Sequence, residues 1–386
     1  MSYCINPKCR NRHNPNNFYK CQACGNDLLI QGQYRLVKPL RDLDLSPYFD
    51  VFEAAIQTQP VFPALAHVAA LFRKPTAKVT SSEPKVLKVL KKNDHEKYTK
   101  LFKQEAEILT NLRHPGIPKA ELDDSFPWRL KDGQQLQCLV MEKIEGDNLE
   151  DWVRQNGKIS EQLALDWLKE ITEILDYVHQ NNFFHRDIKP SNIMRKPDGK
   201  LALIDFGTAR EVTETVVNRH GGVTRVESFI YTPQEQIEGR AVPQSDFFAL
   251  GRTFVYLLIG HHPTPNYFHQ NPQTNQLIWR ENAPQVSKPL ADFIDALMAP
   301  SVENRPANTQ TILQRLEEIG RSLHQQNSQT ETLPPPLQPS PNPPVPRPSP
   351  RPIPQSRSRV IVGLIVILLL GVLIWPNQTQ SVIHEP

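Results

Sequence analysis

Between Phe183 and Gly207 the chain reads F-F-H-R-D-I-K-P-S-N-I-M, then a charged turn from Lys196 to Lys200, then L-A-L-I-D-F-G. No other stretch limits so tightly what the rest can be. Asp187, Lys189 and Asn192 fall on one short loop, and Asp205 closes the apolar strand that follows. Asn192 and Asp205 are hard oxygen donors of the kind that hold Mg²⁺ against nucleotide phosphates. Asp187 can accept the proton of an attacking hydroxyl and orient it, and Lys189 can neutralise charge growing on a transferring phosphate. Loop, strand and spacing together imply phosphoryl transfer. His185 reads as a buried structural residue, which leaves Asp187 as the base.

The order H-R-D-x-x-x-x-N followed by D-F-G resembles the signature of eukaryotic-type protein kinases, and Lys189-Pro190-Ser191-Asn192 resembles their serine/threonine branch. The resemblance runs from about Tyr34 to Gly320. It implies an α+β, bilobal kinase fold, with a small β-rich N-lobe over 34–144 and a larger helical C-lobe over 145–320. ATP and Mg²⁺ are the cofactors it implies, and protein serine and threonine hydroxyls the acceptors. Self-phosphorylation is implied as well, in a loop from Thr208 to Tyr231 that offers Thr213, Thr215, Thr224 and Ser228.

Further positions carry the resemblance. Lys88, inside K-V-L-K-V-L, matches the family lysine on the α- and β-phosphates. Helical spacing over His95 to Leu112 puts Glu105 on the same face as Leu101, Ile108, Leu109 and Leu112. A carboxylate on an apolar face is costly unless paired, and the resemblance assigns it Lys88. A strand over Gln137–Glu142 brings Met141 to the adenine pocket, with Glu142 to Ile144 as the hinge. Glu235 is expected on Arg305, and Asp246, opening an apolar helix that runs to Ile259, is expected to hold the catalytic loop in shape.

One part departs from the family. No glycine lies between Lys38 and Ile56, and Asp44, Ser46 and Phe49 stand where a nucleotide lid carries glycines. Asp42 and Asp44 add negative charge where phosphates would lie. This departure supports the rival reading, a pseudokinase acting as a membrane-tethered docking or regulatory scaffold. Residues 57–84 read as an inserted loop with a short helix over Ala64 to Phe72.

The two ends carry their own signals. Cys4-x₄-Cys9 and Cys21-x₂-Cys24-Gly25 have the spacing of a tetrahedral Cys₄ site. Residues 1–33 therefore resemble a zinc ribbon, with Zn²⁺ structural and supplying folding energy that so few apolar side chains cannot. With a net charge of +3 and the charges of Arg10, Arg12 and Lys20 too few for DNA or RNA contact, no nucleic-acid partner is expected. The layout as a whole resembles membrane-anchored cyanobacterial kinases with a four-cysteine head. No apolar h-region opens the chain, so no signal peptide is expected. Twelve prolines between Pro334 and Pro354 mark 321–359 as a disordered linker. Val360 to Trp375 is an uncharged apolar run, expected to be a single transmembrane helix, with 376–386 a short outer tail. Arg347, Arg351, Arg357 and Arg359 precede it and no Lys or Arg follows, which places the kinase and N-terminus on the cytoplasmic side of the cell membrane.

Overall fold

Alternation in Lys85–Leu90 gives the strand two unlike faces, and the N-lobe is built on that difference. Val86, Lys88 and Leu90 look one way; Leu87 and Val89 look the other, into a separate apolar cluster with Leu36, Phe52 and Val140. The computed structural model describes residues 1–43, 46–57, 83–91, 96–206, 230–262, 271, 273–274 and 276–331. Strands are β1 (Ser2–Tyr3), β2 (His13–Asn14), β3 (Leu29–Ile30), β4 (Tyr34–Pro39), β5 (Phe49–Ile56), β6 (Lys85–Leu90), β7 (Ser125–Arg129) and β8 (Gln135–Glu142), then β9 (Asp147–Asn148), β10 (Ile193–Arg195) and β11 (Leu201–Leu203). One antiparallel sheet has the order β3-β4-β5-β6-β8-β7, and a second has β11-β10-β9.

Helix α1 (Glu96–Asn111) crosses the inner face of the large sheet. Its buried stripe is Phe102, Glu105, Ala106 and Leu109, with Ile108 beside it and buried Leu112 just past its end; Leu101, expected in the core, is only half-buried. The face is rotated because Phe102 stacks on Phe49 of β5, ring centroids 6.3 Å apart. The helical lobe follows as α2 (Leu149–Asn156), α3 (Glu161–Gln180), the short α4 (Gln234–Ile237), α5 (Pro243–Ile259), α6 (Lys288–Leu297) and α7 (Thr309–Glu331). Asn148 and Ser160 cap α2 and α3 by accepting from Asp151 N and Leu163 N. Helix α5 is buried along almost its whole length and ends on Gly260 in the left-handed conformation.

The cysteine-rich head does not stand apart. β3 pairs with β4 directly, and β1 packs on β4. Ile5 and Ile30 join Tyr34, Leu36 and Phe52 in the cluster behind the sheet. The few apolar residues of 1–33 thus find a core by sharing the lobe's own. Arg35 of β4 donates to Ser2 Oγ (3.1 Å) and Phe18 O (2.9 Å), and Arg12 reaches Asp50 of β5 (2.7 Å).

Met1–Thr332 forms one compact unit. Among the described residues no helix is long and apolar enough to cross a membrane. The expected span 360–375, the linker to it and the outer tail lie outside the described residues. So do most of the insert, including Ala64 to Phe72, as well as Asp44, Gly207 and the loop hydroxyls Thr213, Thr215, Thr224 and Ser228.

Candidate active site

Two buried anchors shape the floor of the site. Asp246, near the start of α5, accepts from His185 N (2.9 Å) and Arg186 N (2.7 Å), and His179 Nε2 lies 2.9 Å from the same carboxylate. Burial alone would raise the Asp246 carboxyl; His179 and the loop amides outweigh it and hold it low. His185 is fully buried, its Nε2 is 3.1 Å from Ile204 O, and its ring packs on Phe206 at 4.6 Å. Burial lowers its pKa, so the ring is a neutral strut. Ile204 N donates to Asn192 O (2.9 Å), tying the Asp205 segment to the catalytic loop a second time. Arg186 and Asp205 both hold positive φ, 64° and 69°, a costly conformation for side chains that these bonds over-determine.

The loop residues cluster as their spacing implied. Lys189 Nζ donates to Asp187 Oδ2 at 2.9 Å. Asn192 Nδ2 donates to Asp187 Oδ2 (2.7 Å) and to Asp187 O (2.8 Å). Its Oδ1 is buried without a hydrogen-bond partner among the described residues. A buried amide oxygen left unanswered costs stability unless a ligand completes it, and an oxygen acceptor suits Mg²⁺.

Across the cleft, Lys88 Nζ donates to both Glu105 oxygens at 2.9 Å and to Asp205 Oδ1 at 2.5 Å. The Lys88 side chain is only 4% exposed. Burial works against its charge, yet Asp205 and Glu105 raise its pKa on balance. Burial pushes the Glu105 carboxyl up to about 7 against the pull of Lys88. Asp205 behaves oppositely: Lys88 and Arg41 overcome the cost of burial and hold it well below the usual carboxylate range. Arg41 Nη2 is 2.9 Å from Asp205 Oδ2. That arginine stands two residues past β4, and nothing in its sequence surroundings marked it.

These groups open on a cleft of about 430 Å³, within the range of small-ligand sites. Leu40, Val51 and Val86 form its roof and Met194 and Ile204 its floor; Met141, Glu142 and Ile144 line the hinge side, as expected. Lys88, Glu105 and Asp205 line the polar end. Asp187, Lys189 and Asn192 lie outside the cleft wall. Leu40, Met194 and Arg41 were missed; alternation in β4 and β10 could have found the first two.

At the head, the Sγ atoms of Cys4, Cys9, Cys21 and Cys24 all lie within 4.8 Å of one another. Cys4 and Cys24 are 3.5 Å apart and Cys9 and Cys21 3.6 Å. Zn–S bonds of about 2.3 Å in a tetrahedron set sulfurs about 3.8 Å apart, so the four thiols fit Zn²⁺. Burial pushes Cys4 up and Cys9 up to about 11. Cys24 comes down to about 6 despite burial, because the Asn26 side chain and backbone donate to it. Gly25 holds φ +72° at the tight turn of the second pair.

The fold and the polar cleft together have the two-lobed layout of a protein kinase domain. The chain belongs to the protein kinase domain family, whose model matches residues 74–316. It is 34% identical over 325 residues to serine/threonine-protein kinase B of a Synechocystis species, covering 82% of this chain and 52% of that one. Serine/threonine-protein kinase F of the same organism is 40% identical over 221 residues, 55% of this chain and 44% of the relative. Serine/threonine-protein kinase PknA of a Nostoc species is 36% identical over 220 residues, 56% and 38%. The chain thus spans about half or less of the length of these curated relatives. The family match begins after β4 and β5, the strands that carry the glycine-less lid.

Proposed function

We propose that the chain is a serine/threonine protein kinase that moves the γ-phosphate of Mg-ATP to protein hydroxyls, its own loop included. One observation carries the reading: a buried lysine shared by Glu105 and Asp205, facing the cleft, while Asn192 presents an unanswered oxygen beside the Asp205 segment. Mg²⁺ held by Asn192 and Asp205 would neutralise the phosphates and keep them in line with the acceptor. Lys88, fixed by Glu105, binds the α- and β-phosphates. Asp187 accepts the acceptor hydroxyl's proton and orients its oxygen. Lys189, already on Asp187, balances charge on the transferred group. The relatives' names favour serine and threonine as acceptors.

A docking pseudokinase is the second reading, favoured by the lid without glycine and by Arg41 seated on a metal-binding carboxylate. Transfer of labelled phosphate from Mg-ATP separates the two, with Asp187→Asn as control. Label that vanishes in the control supports the kinase. A wild type that binds ATP yet labels nothing above the control leaves the scaffold standing.

In the same proposal, residues 1–33 are a Cys₄ zinc ribbon, 34–144 and 145–320 the two lobes, and 321–359 a proline-rich spacer. Residues 360–375 are a membrane span that keeps the kinase cytoplasmic, with 376–386 beyond it. The thiol geometry supports the zinc, and the uncharged run with arginines on one side only supports the anchor. Zinc content of the purified chain and its resistance to alkaline extraction from membranes are the tests.

A further inference from the structure

Glycines in a nucleotide lid let backbone N–H groups approach phosphates closely; without them that cradle is lost. Here the lid offers a side chain instead. Arg41 lies two residues past β4, and Leu40 N between them donates to Val51 O (2.9 Å), so the continued strand ladder sets the arginine's base over the cleft. Its guanidinium takes one oxygen of Asp205, while Lys88 takes the other. A carboxylate with a cation on each oxygen still has lone pairs for a metal ion, but both cations repel that ion, and releasing one eases its binding. Lys88 is 4% exposed and gripped by Glu105; Arg41 is 48% exposed. The arginine is the easier to displace, and once displaced its planar fork of donors lies beside any phosphate bridged to Asp205.

We propose that Arg41 is the lid's phosphate ligand, alternating between the Asp205 carboxylate and the phosphates of a bound nucleotide, and so competing with the metal for Asp205. The proposal rests on the nucleotide-binding reading above. It also gives the glycine-less lid a means of gripping ATP with a formal charge that offsets Asp42 nearby.

Calorimetry on the full chain tests it, comparing wild type with Arg41→Gln. Measured without divalent metal, where relief at Asp205 cannot offset it, ATP affinity should fall about tenfold or more, the scale of a charge-assisted hydrogen bond, while adenosine affinity stays unchanged. Mn²⁺ added without nucleotide should bind the variant more tightly, since its competitor on Asp205 is gone. Unchanged ATP affinity, or equal losses for ATP and adenosine, overturns the phosphate role. Unchanged Mn²⁺ affinity overturns the competition. A wild type that binds no ATP removes the kinase reading itself and this proposal with it, a result distinct from either of the others.

Discussion

Replacing Arg12 with methionine should destabilise the protein although the residue lies far from the cleft. Arg12 Nη1 sits 2.7 Å from Asp50 Oδ2, and 0% of the Asp50 side chain is exposed. Stripping one partner from a buried ion pair costs about 3–5 kcal/mol. Lys91 Nζ remains 2.9 Å from the other oxygen, which roughly halves that cost. Arg12 also donates to Cys4 O (2.8 Å) and Ile5 O (3.3 Å), bonds worth about 1 kcal/mol together. The expected loss is about 3 kcal/mol. Urea unfolding followed by tryptophan fluorescence measures it, since Trp128 packs against the same cluster. Arg10→Met, on an exposed neighbour, should stay within about 0.5 kcal/mol of wild type. The double variant with Asp50→Asn should lose less than the two single losses added together. An Arg12→Met protein as stable as the Arg10 control would refute the reasoning, because Asp50 would then not depend on the head.

Gly251→Ala should cost about 1–2 kcal/mol despite the helical gain, since the new Cβ would lie 2.5 Å from Met298 Cγ and 3.1 Å from Leu297 Cβ; thermal melts read it. With zinc bound, a thiol reagent should find no reactive cysteine; after chelation Cys4, Cys9, Cys21 and Cys24 should react, and Cys138, fully buried with its thiol pushed up, only on unfolding. The Glu105 carboxyl is raised to about 7 by burial from 4.5, so between those values the folded protein holds a proton that the unfolded chain has released. Its contribution is therefore fully present below the lower value and lost as pH rises through about 7; stability of wild type relative to Glu105→Gln should fall over that window, and a flat difference would count against the shift.

The Asp187 loop was legible because its contacts are local: Asp187, Lys189 and Asn192 meet within one turn of chain. Lys88 and Glu105 were legible for another reason, each being a charge set in an apolar pattern that demands a partner. Asp50 sent the same signal, an acid inside F-D-V-F on a strand, yet its partners Arg12 and Lys91 carry no mark of distance or direction. Arg41 was illegible outright, because an arginine beside an aspartate in a loop looks solvated. The head was legible as a metal site and not as part of the sheet, since the pairing of β3 with β4 turns on a hairpin at Gln31–Gln33 with no strong hairpin dipeptide.

Asp50 and Val51 are consecutive, yet one is held by the cysteine head and the other roofs the cleft. That adjacency decides where this protein can be cut. A fragment begun at residue 74, where the family match starts, would lack β4, β5, Arg41 and two of the three roof residues, Leu40 and Val51. One begun at Tyr34 would keep the roof but bare Phe52 and Leu36 to water and leave Lys91 as the one remaining cation on Asp50. Trimming that treats the head as a detachable tag would yield aggregates rather than a minimal kinase, and the smallest workable piece starts ahead of Cys4.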